Sequence, residues 1–140
     1  MLAATLLAPS LTIWAADPDT DWVVVVNPSN PARTLTRAEL EQIYLRTMRF
    51  WPDGSSVLPI NLPSADPTRR AFSERALHVD PDALATYWNR QYFQGVLPPL
   101  VLQSSAAVRA YVAKTPGAIG YLPASDVDES IRVLDVEDAR

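Results

Sequence analysis

Apolar and polar positions fall in blocks along this chain that are typical of a protein mixing strands with helices. Mostly apolar runs of five or six residues indicate strands buried in a sheet. We expect such strands at Trp22–Val26, Val57–Leu62, Ala118–Leu122 and Ile131–Val136, with a shorter extended piece at Leu100–Leu102. The first run is almost entirely β-branched, which is typical of a strand covered on both faces in a mainly parallel sheet.

Between these runs, apolar residues recur every three or four positions, the period of a helix with one buried face. The first helix begins after Thr36 as N-cap, with Glu39 as its capping-box partner. Three further helices are expected: one from about Pro67 to Leu77, one that begins after Asp80 and ends near Gly95, and one capped by Ser104 or Ser105.

The third of these helices carries an aromatic stripe. Tyr87, Trp88 and Tyr92 lie on one face together with Leu84 and Gln91. Because such a face packs in a core more often than it binds a ligand, we interpret the stripe as core.

The order of these elements is strand, helix, strand, helices, strand, strand, which predicts an α/β fold. The expected architecture is a mainly parallel central sheet flanked by helices. The sequence has no internal repeat and no linker composition. We therefore expect a single domain over residues 17–140.

Residues 1–16 form an apolar leader without charged side chains, and the leader stops at Asp17. The run is too short to span a bilayer as a helix, but it suits a secretory signal peptide cleaved near Ala15 or Ala16. The basic residues with which a signal peptide usually begins are missing, since the first cationic residue is Arg33. We expect a periplasmic or secreted bacterial protein that is not transmembrane once the leader is removed.

Composition excludes several classes of function. The net charge of −4 gives no support to nucleic-acid binding, and the absence of cysteine excludes thiolate metal sites and thiol nucleophiles. His78 is the only histidine, and the four glycines lie too far apart for a phosphate loop. No carboxylate pair has the spacing of an acid and a base. We expect a binding protein without metal or cofactor, and not an enzyme.

Recognisable chemistry lies where the strand Val57–Leu62 passes through Pro63–Thr68 into a helix at Arg69. A strand that feeds a helix start places backbone N–H groups and the positive end of a helix dipole at a sheet edge, where an anion can bind. The same residues also describe an ordinary helix start, with Asp66 as N-cap and Pro67 at the first helical position. Both interpretations stay open on the residues alone.

Several segments in this order resemble the phosphate-type substrate-binding proteins of bacterial ABC transporters, which have the periplasmic-binding-protein fold. The segments are Val23–Pro28, Leu35–Leu45, which is similar to the family's helix ending in Ile-Phe-x-Gly, Trp51–Gly54, Thr68 with Phe72, and Pro116–Tyr121. The resemblance covers nearly all of the chain after the leader. It implies a periplasmic-binding-protein-like lobe that binds phosphate or a similar small oxyanion and works with an ABC permease.

Two departures from the family bear on function. Full binding proteins are about twice as long because two lobes close on the ligand, so the resemblance implies a shortened single-lobe form. A second copy or a partner protein would then complete the cleft. In addition, the family's Ser-Gly-Thr falls at Asp66-Pro67-Thr68, so only Thr68 is matched.

The ligand-binding candidates implied at this loop are Ser64, Asp66, Thr68 and Arg69. Ser64, Thr68 and Arg69 would act as donors, and Asp66 would accept from a protonated oxyanion. Asp66 would also occupy N–H groups that an oxyanion needs and would repel its charge.

Two alternatives remain beside this site. Arg69 and Arg70 lie in the first helical turn, where the dipole disfavours cations, and Asp66 as their partner is the favoured explanation. A domain that kept the fold and lost its ligand would instead act as a protein-interaction module of the cell envelope. A large exposed apolar patch would favour that second function.

Overall fold

The computed structural model describes residues 22–137, which form a six-stranded sheet with helices packed against it. The strands are β1 Trp22–Val26, β2 Thr34–Thr36, β3 Leu58–Asn61, β4 Leu100–Val101, β5 Ala118–Pro123 and β6 Arg132–Glu137. The helices are α1 Arg37–Tyr44, α2 Pro67–Phe72, α3 Ala85–Phe93 and α4 Ser105–Lys114. A π-helical turn, Ser73–Leu77, continues α2, and 3-10 turns occupy Pro81–Leu84 and Ala124–Asp126.

Two expectations fall outside this part of the chain. The leader at residues 1–16 lies outside the described residues, and the boundary of a single domain at residue 17 stays a prediction. Within residues 22–137, no helix is both long enough and apolar enough to cross a membrane.

The sheet has the strand order β2-β6-β1-β5-β3-β4. Three pairings are parallel: β2 with β6, β3 with β5, and β3 with β4. The two antiparallel pairings are both made by β1, with β5 and with β6. The mainly parallel α/β sheet is confirmed. Val24–Val26 is buried as its composition indicates, although the direct neighbours of this strand run antiparallel to it.

The hydrophobic core joins the central strands to the helices that pack on them. Its fully buried members include Val25, Val26, Leu40, Ile43, Leu62, Phe72, Val108, Val112, Ile119 and Leu122. A Cβ atom at Gly120 would lie 2.8 Å from Cγ1 of Val108. Glycine is therefore required for α4 to lie this close to β5.

The indole of Trp51 joins the loop after α1 to the beginning of β5. Its Nε1 donates a hydrogen bond to the carbonyl oxygen of Gly117 at 3.0 Å, and the ring is buried. The backbone N–H of Leu58 donates to the same oxygen at 3.0 Å. A side chain at Gly117 would overlap the carbonyl oxygen of Ser56. The Trp51–Gly54 and Pro116–Tyr121 segments are thus parts of one contact.

Helix α3 differs from the expectation. It has no buried residue: Tyr87 and Trp88 are half-buried, and Tyr92 is 64% exposed. The interpretation of its aromatic stripe as core is wrong. The helix lies at the surface, where the Tyr87 hydroxyl donates to the carbonyl oxygen of Leu45 at 2.6 Å. The apolar period marks a face of a helix, but it does not say what covers that face.

The predicted N-cap of α1 is confirmed. Thr36 Oγ1 accepts a hydrogen bond from the backbone N–H of Glu39 at 3.1 Å and donates to the Glu39 carboxylate at 3.1 Å. Thr36 is also the last residue of β2, a strand that the sequence pattern did not predict because three residues carry no readable period.

We expect Thr36→Ala to lower the free energy of unfolding by about 1 kcal/mol, because the N-terminal N–H groups of α1 lose their cap. Urea denaturation measures this loss. Thr34→Ala is the matched control, since Thr34 is exposed on the same short strand and makes no side-chain hydrogen bond within residues 22–137. Equal midpoints for the two variants would contradict a stabilising role for the cap.

Candidate functional site

The connection from β3 to α2 is the loop that the sequence singles out. Asp66 is the N-cap of α2, and its Oδ1 accepts from the backbone N–H groups of Thr68 at 2.8 Å and Arg69 at 3.4 Å. Pro67 follows at the first helical position. The ordinary helix start is therefore present, and an anion does not have free access to these two N–H groups.

Arg69 is the one charged side chain that is buried in the part of the chain the structure describes, with 9% of its surface exposed. Its Nη1 donates to the carbonyl oxygen of Leu62 at 2.8 Å, whereas its Nε is buried without a hydrogen-bond partner. Within residues 22–137 the guanidinium forms no ion pair with Asp66. The alternative in which Asp66 pairs with this side chain is not what the structure contains.

Two tyrosine hydroxyls hold the backbone at the end of β3. Tyr121 donates to Oδ1 of Asn61 at 2.9 Å and accepts from the backbone N–H of Leu62 at 3.2 Å. Tyr44 donates to the carbonyl oxygen of Ile60 at 3.0 Å. Because these partners, two backbone groups and the Asn61 side chain, immediately precede the loop, the hydroxyls fix the direction in which β3 enters it.

The rings behind these hydroxyls form a continuous aromatic stack. Phe72 lies parallel to Tyr121, with ring centroids 3.8 Å apart and an angle of 8° between the planes. Tyr44 and Trp22 each meet Phe72 edge to face, at centroid distances of 4.8 and 5.1 Å. The stack joins β1, α1, α2 and β5 beside the loop.

Burial raises the pKa of both tyrosines. For Tyr121, desolvation is the largest cause, while the positive charge of Arg69 lowers the pKa and the negative charge of Asp66 raises it. For Tyr44, desolvation comes first and is opposed by Arg69. The hydroxyls therefore stay protonated at neutral pH and serve as hydrogen-bonding groups rather than as bases.

Three of the four candidate residues meet at the beginning of α2. Asp66, Thr68 and Arg69 are linked by the cap, and Thr68 is half-buried. Ser64 lies exposed on the loop, and its side chain makes no hydrogen bond to other described residues.

Sequence reasoning missed two residues of this site, Asn61 and Tyr121. Both lie within runs that the pattern identified only as strands. The available signal was a polar amide at the end of an otherwise apolar run, immediately before the loop.

The six-stranded sheet and the helices on it have a periplasmic-binding-protein-like α/β fold. The structure is similar to an ABC-type phosphate transport receptor from Vibrio cholerae, with a TM-score of 0.69 and 22% identity, over 86% of this chain and 47% of that chain. It is also similar to PstS from Borrelia burgdorferi, with a TM-score of 0.65 and 17% identity, over 86% of this chain and 48% of that one.

A third similar structure is the high-affinity periplasmic phosphate-binding protein PfluDING bound with phosphate. Its TM-score is 0.60 and its identity 14%, over 86% of this chain and 38% of that chain. The chain spans about half, or less, of the length of these proteins. No family model and no curated protein matches the sequence. At the level of fold, the resemblance to phosphate-type substrate-binding proteins is confirmed.

The raised pKa values of Tyr44 and Tyr121 make stability sensitive to alkaline pH. Tyrosine in an unfolded chain ionises near pH 10, whereas these hydroxyls keep their protons in the folded state. Above about pH 10 the folded protein therefore binds more protons, and the free energy of unfolding falls by about 1.4 kcal/mol per pH unit for each tyrosine. Urea denaturation from roughly pH 9 to roughly pH 12 measures the slope.

Tyr44→Phe should reduce this slope by the contribution of one tyrosine, about 1.4 kcal/mol per pH unit. Tyr92→Phe is the matched control and should leave it unchanged, because Tyr92 is 64% exposed. Equal slopes for Tyr44→Phe and the unmodified protein would contradict the assignment.

Proposed function

We propose that this protein is an exported solute-binding-protein-like domain that binds phosphate or a similar small oxyanion at the strand-to-helix loop, residues 63–70. The observation that carries the proposal is Arg69, a buried cation with an unpartnered Nε and no acidic partner among residues 22–137. A buried charge without a counter-charge is destabilising by several kcal/mol. A bound oxyanion would supply the counter-charge and accept hydrogen bonds from the guanidinium.

The other candidate residues complete the proposed binding groups. The hydroxyls of Ser64 and Thr68 make no hydrogen bonds within residues 22–137, so both are free to donate. Asp66 uses only Oδ1 for the cap. Its Oδ2 is then open to accept the proton of monohydrogen phosphate, which sulfate at neutral pH does not carry. This arrangement would favour phosphate over sulfate.

Two of the similar structures support this proposal, because phosphate is named as what each protein transports or binds. The Vibrio cholerae protein is a phosphate transport receptor, and PfluDING is a phosphate-binding protein. The chain corresponds to about half, or less, of the length of these proteins, and Ser64 lies at the surface. We propose that a second copy or a partner protein covers the ligand, and that an ABC permease receives it.

We expect phosphate to raise the melting temperature, while sulfate and chloride at the same ionic strength do not. A ligand that binds only the folded state stabilises it by about 2.7 kcal/mol at 100 times its Kd. Arg69→Met should remove the phosphate-dependent rise yet leave a folded protein, because methionine removes a buried charge that has no counter-charge among residues 22–137. Thermal-shift titration measures both effects.

Arg70→Met is the matched control for this experiment, since Arg70 is the exposed neighbour on the same turn. It should keep the full phosphate response. A response that survives in Arg69→Met would place the anion elsewhere. No response in the unmodified protein would overturn the proposal and leave the envelope interaction module as the alternative function.

We expect Asp66→Ser to raise phosphate affinity by about tenfold, or about 1.4 kcal/mol, because it removes a like charge. Serine is itself a good N-cap, so α2 should keep its beginning. Discrimination against sulfate should fall, since the acceptor for the phosphate proton is lost. Titration calorimetry measures both affinities, and weaker phosphate binding would instead show that the Asp66 carboxylate is required.

A further inference from the structure

A cavity lies along β3, toward the end of this strand that is opposite the loop 63–70. Its volume is about 150 Å³. Most of its wall is apolar, from the first residues of β3 and from the segment that enters β4, including Leu58, Pro99 and Leu100. Arg46 and Tyr111 also line it, and none of the acidic residues within 22–137 does.

The backbone of Arg46 is in an unusual conformation. Its φ is +64°, in the left-handed region that favours glycine over residues with a side chain. Its Nη1 donates to the carbonyl oxygen of Val57 at 3.1 Å, but its Nε is buried without a hydrogen-bond partner. The positive φ belongs to the C-terminal cap of α1, where the N–H groups of Arg46 and Thr47 donate to the carbonyl oxygens of Ile43 and Gln42. The single side-chain bond to Val57 still leaves a buried donor of the guanidinium unpaired.

The charges around the cavity favour an anion. The pKa of Arg46 is lowered, first by desolvation and then by the nearby positive charge of Arg49. In the part of the chain that the structure describes, neither arginine forms an ion pair. Arg46 lines the cleft and Arg49 lies near it, and these two cations give the cleft a positive potential, although the whole chain carries a net charge of −4.

We propose that the cavity binds a small carboxylate with an apolar body, placing the carboxylate on Arg46 and the body between Leu58 and Leu100. These leucines are 36% and 47% exposed, so a ligand would remove apolar surface from water. The Tyr111 hydroxyl makes no hydrogen bond within residues 22–137 and is free to donate to the second carboxylate oxygen.

The volume limits the size of the ligand. A cavity of about 150 Å³ has room only for a small ligand. A compact aromatic acid such as benzoate is of suitable size, whereas a long fatty acid would extend into solvent. The proposal is independent of the oxyanion function, because it concerns different residues and a different ligand.

The test is a titration of the full chain with benzoate, followed by nitrogen–proton correlation NMR. We expect saturable shifts of the Arg46 side-chain Nε–H signal and of the backbone N–H signals of Leu58 and Leu100 below about 10 mM ligand. Benzamide has the same shape without the charge, and acetate has the charge without the apolar body. Each should bind at least tenfold more weakly than benzoate.

Arg46→Gly separates a binding role from a structural one. Glycine adopts the observed φ without strain, so the variant should stay folded despite the lost hydrogen bond to Val57, and it should lose the benzoate response. Arg33→Gln is the matched control, since Arg33 is an exposed arginine that does not line the cavity. It should keep the response.

Three results would overturn the proposal. They are the absence of saturable shifts with benzoate, an equal response to benzamide, and a benzoate response that survives in Arg46→Gly. Inorganic phosphate provides the comparison with the other site. It should not move the Arg46 Nε–H signal, whatever it does at Thr68 and Arg69.

Discussion

The close packing of β5 against its neighbours is the constraint on which the rest of the structure depends. Gly120 lets α4 approach the strand, and Gly117 accepts hydrogen bonds from Trp51 and Leu58 at a point where no side chain would fit. From the same strand, the Tyr121 hydroxyl reaches across to the end of β3. The position of the loop before α2 therefore follows from how tightly β5 is packed.

The loop combines two requirements that compete at many helix starts. The N-terminal N–H groups of α2 need an acceptor, and a binding protein for anions would leave them free. Asp66 supplies the acceptor with one carboxylate oxygen. The positive charge comes instead from Arg69, whose side chain turns inward under the loop. The N-cap and the positive charge thus come from different residues. Helix α2 keeps its cap from Asp66 while Arg69 supplies the cation.

Local chemistry is what the sequence predicts well here. The helix starts at Thr36, Asp66 and Ser104 depend on a few adjacent residues, and all three caps are present. The exposure of α3 and the burial of Arg69 depend on partners far away in the chain. For the same reason, Tyr121 and Asn61 were readable as strand residues but not as members of the site.

The ends of the described chain meet in the middle of the sheet. β1 lies between β5 and β6, and Val26 pairs with Ile119 on one side and Arg132 on the other. The Asn27 side chain donates to the carbonyl oxygen of Val112 at 2.9 Å. Contacts this distant in sequence make folding slow, because a long loop must close first. During synthesis, β1 therefore has no strand partner until nearly all of residues 22–137 have left the ribosome.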